Sequence, residues 1–303
     1  MKPGTCEQLK WMSLPGEYSD QERSQFVILP VSYEKDVTYG VGAAQGAEEI
    51  LLASTHLEYY DEEFDSEYFI LGVFVHPVLR LSCETPETMV SSVQQTVESF
   101  SGEKFFIGLG GDHAVTIGFV RGLEKMHGDF AILQIDAHSD FRDSWNGSKL
   151  NHACVMRQVV DTHEVVAVGI RAQDKDEHGA VEAHEKVQTI YGWDFSLEKV
   201  RTALANVKAE KLYITIDVDG FDPSVISCTG TPEPGGLYWQ QVVEILKLCF
   251  AEKQVIGCDL VEFAPEYVLD FSGTKVLSSR ARAEAYTLAR LLSKVMALQF
   301  QKQ

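Results

Sequence analysis

Six short apolar runs constrain most strongly what this chain can fold into. Each is almost continuously apolar, has the length of a strand and is bounded by polar or glycine-rich turns; the runs cover 26–31, 105–110, 130–136, 164–170, 211–219 and 254–263. Such runs are typical of strands that are buried on both faces of a parallel sheet. Helix-like segments with apolar residues at three- and four-residue spacing occur at 87–100, 239–252 and 280–300.

Strands that alternate with helices predict an α/β fold with a doubly wound, mostly parallel sheet. The 303 residues contain no internal repeat, no low-complexity tract and no evident linker, so we predict a single domain over 1–303. In such folds the functional site lies at the carboxyl ends of the strands.

The net charge of −19 limits the partners that this chain can have. It argues against nucleic acid and against anionic membranes, because both need a basic surface. It suits a small cationic substrate, although an acidic surface that only aids solubility explains it equally. The N-terminal segment lacks an apolar signal region, no apolar stretch is long enough to span a membrane, and the six cysteines form no C-x-x-C pair. We therefore expect a reduced, cytoplasmic protein.

Acidic and imidazole side chains lie at the carboxyl end of four of the apolar runs or directly after it. They are Asp112 and His113, then Asp136, His138 and Asp140, then Asp217 and Asp219, and finally Glu262. Residues two apart in extended backbone point to the same side, so the second and third groups are each expected to converge on one point.

A cluster of carboxylates at one sheet edge would repel itself unless cations lay between its members. Two divalent metal ions would balance Asp136, Asp140, Asp217 and Asp219, with His113 and His138 as neutral nitrogen ligands. This ligand set is rich in oxygen, which favours manganese over zinc; nickel or iron remains open.

Three sequence blocks resemble signature motifs of the ureohydrolase (arginase–agmatinase) family. They are GGDHAVT at 110–116, DAHSD at 136–140, and TIDVDGFDPS at 215–224 followed by TGTPEPGGL at 229–237. The segment 30–54 is similar to the N-terminal part of bacterial and archaeal agmatinases, and GIR at 169–171 also matches. The resemblance implies a three-layer αβα fold, a homotrimer or homohexamer, and two Mn²⁺ ions. The metal ligands that it implies are His113, Asp136, His138, Asp140, Asp217 and Asp219.

The same resemblance assigns catalytic and substrate-binding residues. Asp140 would accept the first proton, His152 would act as the proton shuttle and contact substrate, and Glu262 would receive the guanidinium group. Asn151 and Arg142 lie near this site in the sequence. We predict a substrate contact for Asn151, with simple packing as the alternative for both.

Agmatine is the predicted substrate, because the segment after the DAHSD block is closer to agmatinases than to arginases, which grip an α-carboxylate. The segment SGTKVLSS at 272–279 departs from the family pattern and leaves open how the pocket rim is closed. Other guanidino compounds remain alternatives: guanidinobutyrate, aminopropylagmatine, guanidine and formimidoylglutamate. A single-metal zinc deacetylase of the wider fold and a catalytically silent paralogue are further alternatives, but both predict a broken residue set.

Overall fold

The computed structural model describes residues 9–100 and 104–302, and its centre is one large sheet. The strands are β1 Phe26–Ser32, β2 Val73–Val75, β3 Leu79–Arg80, β4 Phe105–Leu109, β5 Ala131–Ile135, β6 Val165–Ile170, β7 Val187–Tyr191, β8 Lys211–Asp217 and β9 Gln254–Val261. Their order is β2-β1-β4-β9-β8-β5-β6-β7, with β3 paired to β1, and every pairing in this sheet is parallel. A separate antiparallel hairpin follows, formed by β10 Tyr267–Leu269 and β11 Lys275–Leu277.

Helices cover both faces of the sheet. They are α1 Gly46–Ser54, α2 Pro86–Glu98, α3 Val115–His127, α4 Val155–Val159, α5 Lys175–Glu182, α6 Leu197–Asn206, α7 Trp239–Glu252 and α8 Ser279–Phe300. Side chains of α1, α6, α7 and α8 share one buried apolar cluster, and those of α2, α3, α4 and α5 share the other. The fold is therefore the predicted three-layer αβα arrangement. None of the helices in the described residues combines the length and apolar character needed to cross a bilayer.

The six apolar runs of the sequence correspond to β1, β4, β5, β6, β8 and β9, and the three helix-like segments to α2, α7 and α8. The two remaining strands of the main path, β2 and β7, form its edges. Residues of β7 are mostly half-exposed, and so it lacks the continuous apolar run that marks the buried strands. The four strands that end in acidic or imidazole groups, β4, β9, β8 and β5, are direct neighbours at the centre of the sheet.

Candidate metal centre

The carboxyl ends of β4, β5 and β8 bring the six predicted ligand residues together. Their ligand atoms form two overlapping clusters, within each of which all atoms lie within 4.8 Å of one another. The first cluster contains His113, Asp136 and Asp140, and the second contains Asp136, His138 and Asp219. Asp217 joins the first cluster, because its Oδ2 lies 3.3 Å from His113 Nδ1.

Asp136 is common to both clusters. Its Oδ2 lies 3.2 Å from His113 Nδ1, and its Oδ1 lies 3.8 Å from His138 Nδ1. The other close contacts are 2.9 Å from Asp140 Oδ2 to His113 Nδ1 and 2.9 Å from Asp219 Oδ2 to His138 Nδ1. One carboxylate between two ligand groups is the arrangement expected if two cations share a ligand.

The side chains come together, but strand alternation does not explain how Asp140 and Asp219 reach the clusters, and that part of the prediction is wrong. Strand β5 ends at Ile135, so the 136–140 segment is a loop, and Asp140 turns back with φ of 49°. Asp219 lies in a 3-10 turn, Val218–Gly220. Asp217 caps the start of this turn, because its Oδ1 accepts a hydrogen bond from Asp219 N at 2.9 Å. Left-handed backbone at a non-glycine residue is strained, and such strain concentrates at functional sites.

The cluster is deficient in positive charge. Burial and the neighbouring Asp140 and Asp219 raise the pKa of Asp136 to about 7. Burial opposes the charged form of His138, but the adjacent Asp219 more than offsets this and raises the pKa of His138 to about 11. Among protein groups alone, protons on imidazoles and carboxylates thus balance the buried acids. Divalent cations would replace those protons.

The donor set fits two hard divalent cations. It offers four carboxylates and two imidazoles, all buried apart from the half-buried His138. His113 Nδ1 is buried and has no hydrogen-bond partner of acceptable geometry among the described residues, although three carboxylates surround it. An unpaired buried nitrogen that faces several carboxylates is the geometry of a metal ligand rather than of a structural histidine.

His152 borders the same cavity as the clusters. Its Nε2 lies 3.0 Å from Thr38 Oγ1, and burial lowers the pKa of its ring below the usual range. The contact between Asn151 and substrate stays a prediction, and Asn151 is not among the residues that line the cavity. Its Oδ1 instead accepts a hydrogen bond from Ala153 N at 3.1 Å and so caps the turn that carries His152.

Glu262 follows β9 directly and also borders the cavity. Its φ of 64° turns the side chain toward the cluster, and its Oε1 accepts a hydrogen bond from His113 N at 2.7 Å. Burial raises the pKa of Glu262 well above the usual range, with nearby Asp112 adding to the effect. Asp112 itself bonds the amides of Lys35 and Ala114 rather than a ligand side chain, so its task is to fold the loop around His113.

The cavity has a volume of about 410 Å³. Its outer wall includes Arg142, Asp174 and Glu177, where Arg142 Nη1 lies 2.7 Å from Asp174 Oδ2 and Arg142 Nε lies 3.6 Å from Glu177 Oε2. No residue of 264–279 lines the cavity, so the atypical segment does not form its rim. That segment forms the β10–β11 hairpin and the start of α8 instead.

Two sets of hydrogen bonds that hold the loops carrying Asp140 and Asp219 were not identified from the sequence. Glu177 Oε1 accepts hydrogen bonds from Ser139 Oγ at 2.6 Å and Phe141 N at 3.0 Å, which holds the loop on both sides of Asp140. Arg171 donates to the carbonyls of Asp219 and Glu233, at 2.7 Å each, and so ties the Asp219 turn to the glycine- and proline-rich loop. Arg171 belongs to the GIR block at 169–171 that matched the family, but the sequence does not reveal either contact, because the partners lie up to 62 residues away.

Comparison with known proteins agrees with this geometry. Residues 24–287 match the family described as the Arginase family. A Synechocystis protein named N(1)-aminopropylagmatine ureohydrolase is 36% identical over 288 residues, which is 88% of this chain and 93% of that protein. A Bacillus cereus protein named agmatinase is 31% identical over 251 residues, which is 81% of this chain and 86% of that protein.

Comparison with solved structures leads to the same family. The crystal structure of agmatine ureohydrolase of Thermoplasma volcanium superposes with a TM-score of 0.80 and 27% identity, and the match covers 98% of this chain and 95% of that one. The family is one of binuclear divalent-metal enzymes, and the relatives named here are hydrolases of amidine C–N bonds. The chain described here therefore belongs to the arginase family of ureohydrolases.

Proposed function

We propose that this chain uses two Mn²⁺ ions to hydrolyse the guanidino group of a linear guanidino amine, releasing urea and an alkylamine. The observation that carries the proposal is the pair of clusters that share Asp136, with Glu262 at the same cavity. Oxygen-rich ligand sets of this kind favour manganese among the metals that can bind imidazole as well.

The cavity favours a cationic substrate without a carboxylate. Arg142 is the only lysine or arginine among the described residues that line the cavity, and Asp174 already pairs with it. A substrate carboxylate would therefore meet carboxylates and find no free cation to bind it. Glu262 can instead accept paired hydrogen bonds from a guanidinium group, which would orient its carbon toward the clusters.

Bound divalent cations lower the pKa of water, which supplies the nucleophile that a resonance-stabilised guanidinium carbon requires. Asp140 borders the cavity, which supports a role for its carboxylate in taking the proton that this water loses. The oxygen of this water forms a bond to the guanidinium carbon, the bond from that carbon to the alkyl nitrogen then breaks, and the nitrogen must gain a proton to leave as an amine. We assign this proton to His152, which borders the cavity, because an imidazole can both give a proton and take up the one that the hydroxyl group loses as urea forms.

Two guanidino amines are candidates for the substrate. Agmatine is the one that the sequence motifs favour. N(1)-aminopropylagmatine, the same molecule with a second amine on its tail, gains support because two relatives named for it are 36% and 34% identical, against 31% for a relative named agmatinase, although another relative named for it is 29% identical. We therefore rank N(1)-aminopropylagmatine first and agmatine second.

Urea release by manganese-loaded protein should be measured with N(1)-aminopropylagmatine, agmatine, 4-guanidinobutyrate and arginine. We expect kcat/KM to be highest for the first and at least about 10²-fold lower for the two acids than for the better amine, because like charges brought together cost several kcal/mol. A chelated sample serves as the blank. Faster hydrolysis of either acid would overturn the carboxylate-free proposal, whereas a preference for agmatine would reverse only the ranking of the amines.

A further inference from the structure

A carboxylate lies buried in the sheet beneath the metal centre. Asp259, in the middle of β9, has no exposed surface, and it forms no ion pair with any described lysine or arginine. Three hydroxyl groups donate to it instead: Thr215 to Oδ1 at 2.6 Å, and Tyr213 and Thr116 to Oδ2 at 2.7 and 2.8 Å. A buried carboxylate is costly even when hydrogen-bonded, so its presence in an apolar layer needs a reason.

Thr215 connects this carboxylate to the metal centre. Its Oγ1 lies 2.9 Å from His113 Nε2. A threonine hydroxyl has one proton, and that of Thr215 is given to Asp259, so Thr215 must accept the hydrogen bond from His113 Nε2–H. The lone pair of the imidazole is thereby left on Nδ1, the atom that faces Asp136, Asp140 and Asp217.

The residues on the neighbouring strands leave space for the hydrogen bonds that link Asp259, Thr215 and His113. Asp259 is in register with Thr215 on β8 and with Gly108 on β4. A Cβ at position 108 would lie 2.8 Å from Asp259 Cβ and 2.6 Å from a ring carbon of Phe119, so only glycine fits there. The polar residues at 213, 215 and 217 also alternate along β8, which carries the connection from the sheet interior to its carboxyl edge.

We propose that Asp259 and Thr215 are positioning residues that fix the ring orientation and tautomer of His113 for metal binding. Metal-binding histidines generally donate their other ring N–H to such a partner, and loss of that partner weakens metal binding by about 10- to 100-fold. This inference rests on the proposed metal centre. The competing explanation is that the hydroxyl groups only join β8, β9 and α3.

Two substitutions of threonine by valine distinguish these explanations. Thr215→Val removes the hydroxyl that contacts His113, and Thr116→Val removes one that contacts Asp259 but not His113. Mn²⁺ affinity should be measured from the electron paramagnetic resonance signal of free Mn²⁺, and the unfolding of each metal-free variant by urea denaturation. We expect Thr215→Val to bind at least one Mn²⁺ about 10- to 100-fold more weakly than the parent chain, and Thr116→Val and Thr215→Ser to bind close to the parent affinity.

Equal Mn²⁺ affinities in the two valine variants, whether reduced or unchanged, would overturn the inference. If Thr215→Val does not fold, Asp259→Asn tests the same step, because its amide can donate to Thr215 and reverse the hydrogen bond to His113; parent-like Mn²⁺ affinity there would also overturn it. A parent chain that binds fewer than two Mn²⁺ ions would instead disprove the metal centre itself, a failure that is visible before any variant is compared.

Discussion

Asp136→Asn is expected to lower kcat/KM for urea release by about 10³-fold, because this one carboxylate belongs to both ligand clusters. The substitution removes a fully buried negative charge that lies 3.2 Å from His113 Nδ1 through one oxygen and 3.8 Å from His138 Nδ1 through the other. Metal ions contribute several kcal/mol of charge stabilisation, and about 4 kcal/mol corresponds to 10³-fold. Urea production and bound Mn²⁺ should be measured on the same samples.

Asp129→Asn is the matched control, since it makes the same chemical change on an exposed turn. It should retain parent activity and both metals. An Asp136→Asn variant that keeps activity within about tenfold of the parent at the same bound Mn²⁺ would contradict the shared-ligand arrangement.

Glu262→Gln is expected to lower kcat/KM by about 10²- to 10³-fold, because removal of one charge from a buried ion pair with substrate costs 2–5 kcal/mol. Two bound Mn²⁺ ions should remain, since Glu262 is in neither ligand cluster. The glutamine can still accept the hydrogen bond from His113 N, so the loop should keep its fold. Steady-state kinetics and metal analysis together test this expectation.

The exposed Glu266 provides the control, as Glu266→Gln changes the same side chain four residues away and should leave kinetics unchanged. Loss of a metal ion in the Glu262→Gln variant would make Glu262 a metal ligand rather than a substrate-binding residue. Unchanged kcat/KM would remove it from the site altogether.

The buried strands could be predicted because burial on both faces forces a continuous apolar run, as in β5 and β8. The edge strand β7 and the β10–β11 hairpin could not, because their residues are largely half-exposed or exposed and carry no such run. The order of the strands was also not predictable, yet it places β4, β9, β8 and β5 side by side and so assembles the site.

The sequence predicted which residues form the candidate site more accurately than it predicted the backbone geometry that brings them together. Asp140 reaches the cluster through left-handed backbone and Asp219 through a 3-10 turn, whereas alternation in extended backbone was the predicted cause. Contacts that join distant segments left no sequence signal; the contact of Thr38 with His152 spans 114 residues. Asp259 did leave a signal, since a carboxylate in the middle of the apolar segment 255–261 is unusual.

The most direct test of the account is the rate of urea release as a function of bound Mn²⁺ per chain, measured with N(1)-aminopropylagmatine and agmatine. The account predicts no urea from chelated protein, full activity at two ions per chain, and loss and recovery of activity as the metal is removed and restored. Full activity in chelated protein, or no urea from either amine when two ions are bound, would contradict it.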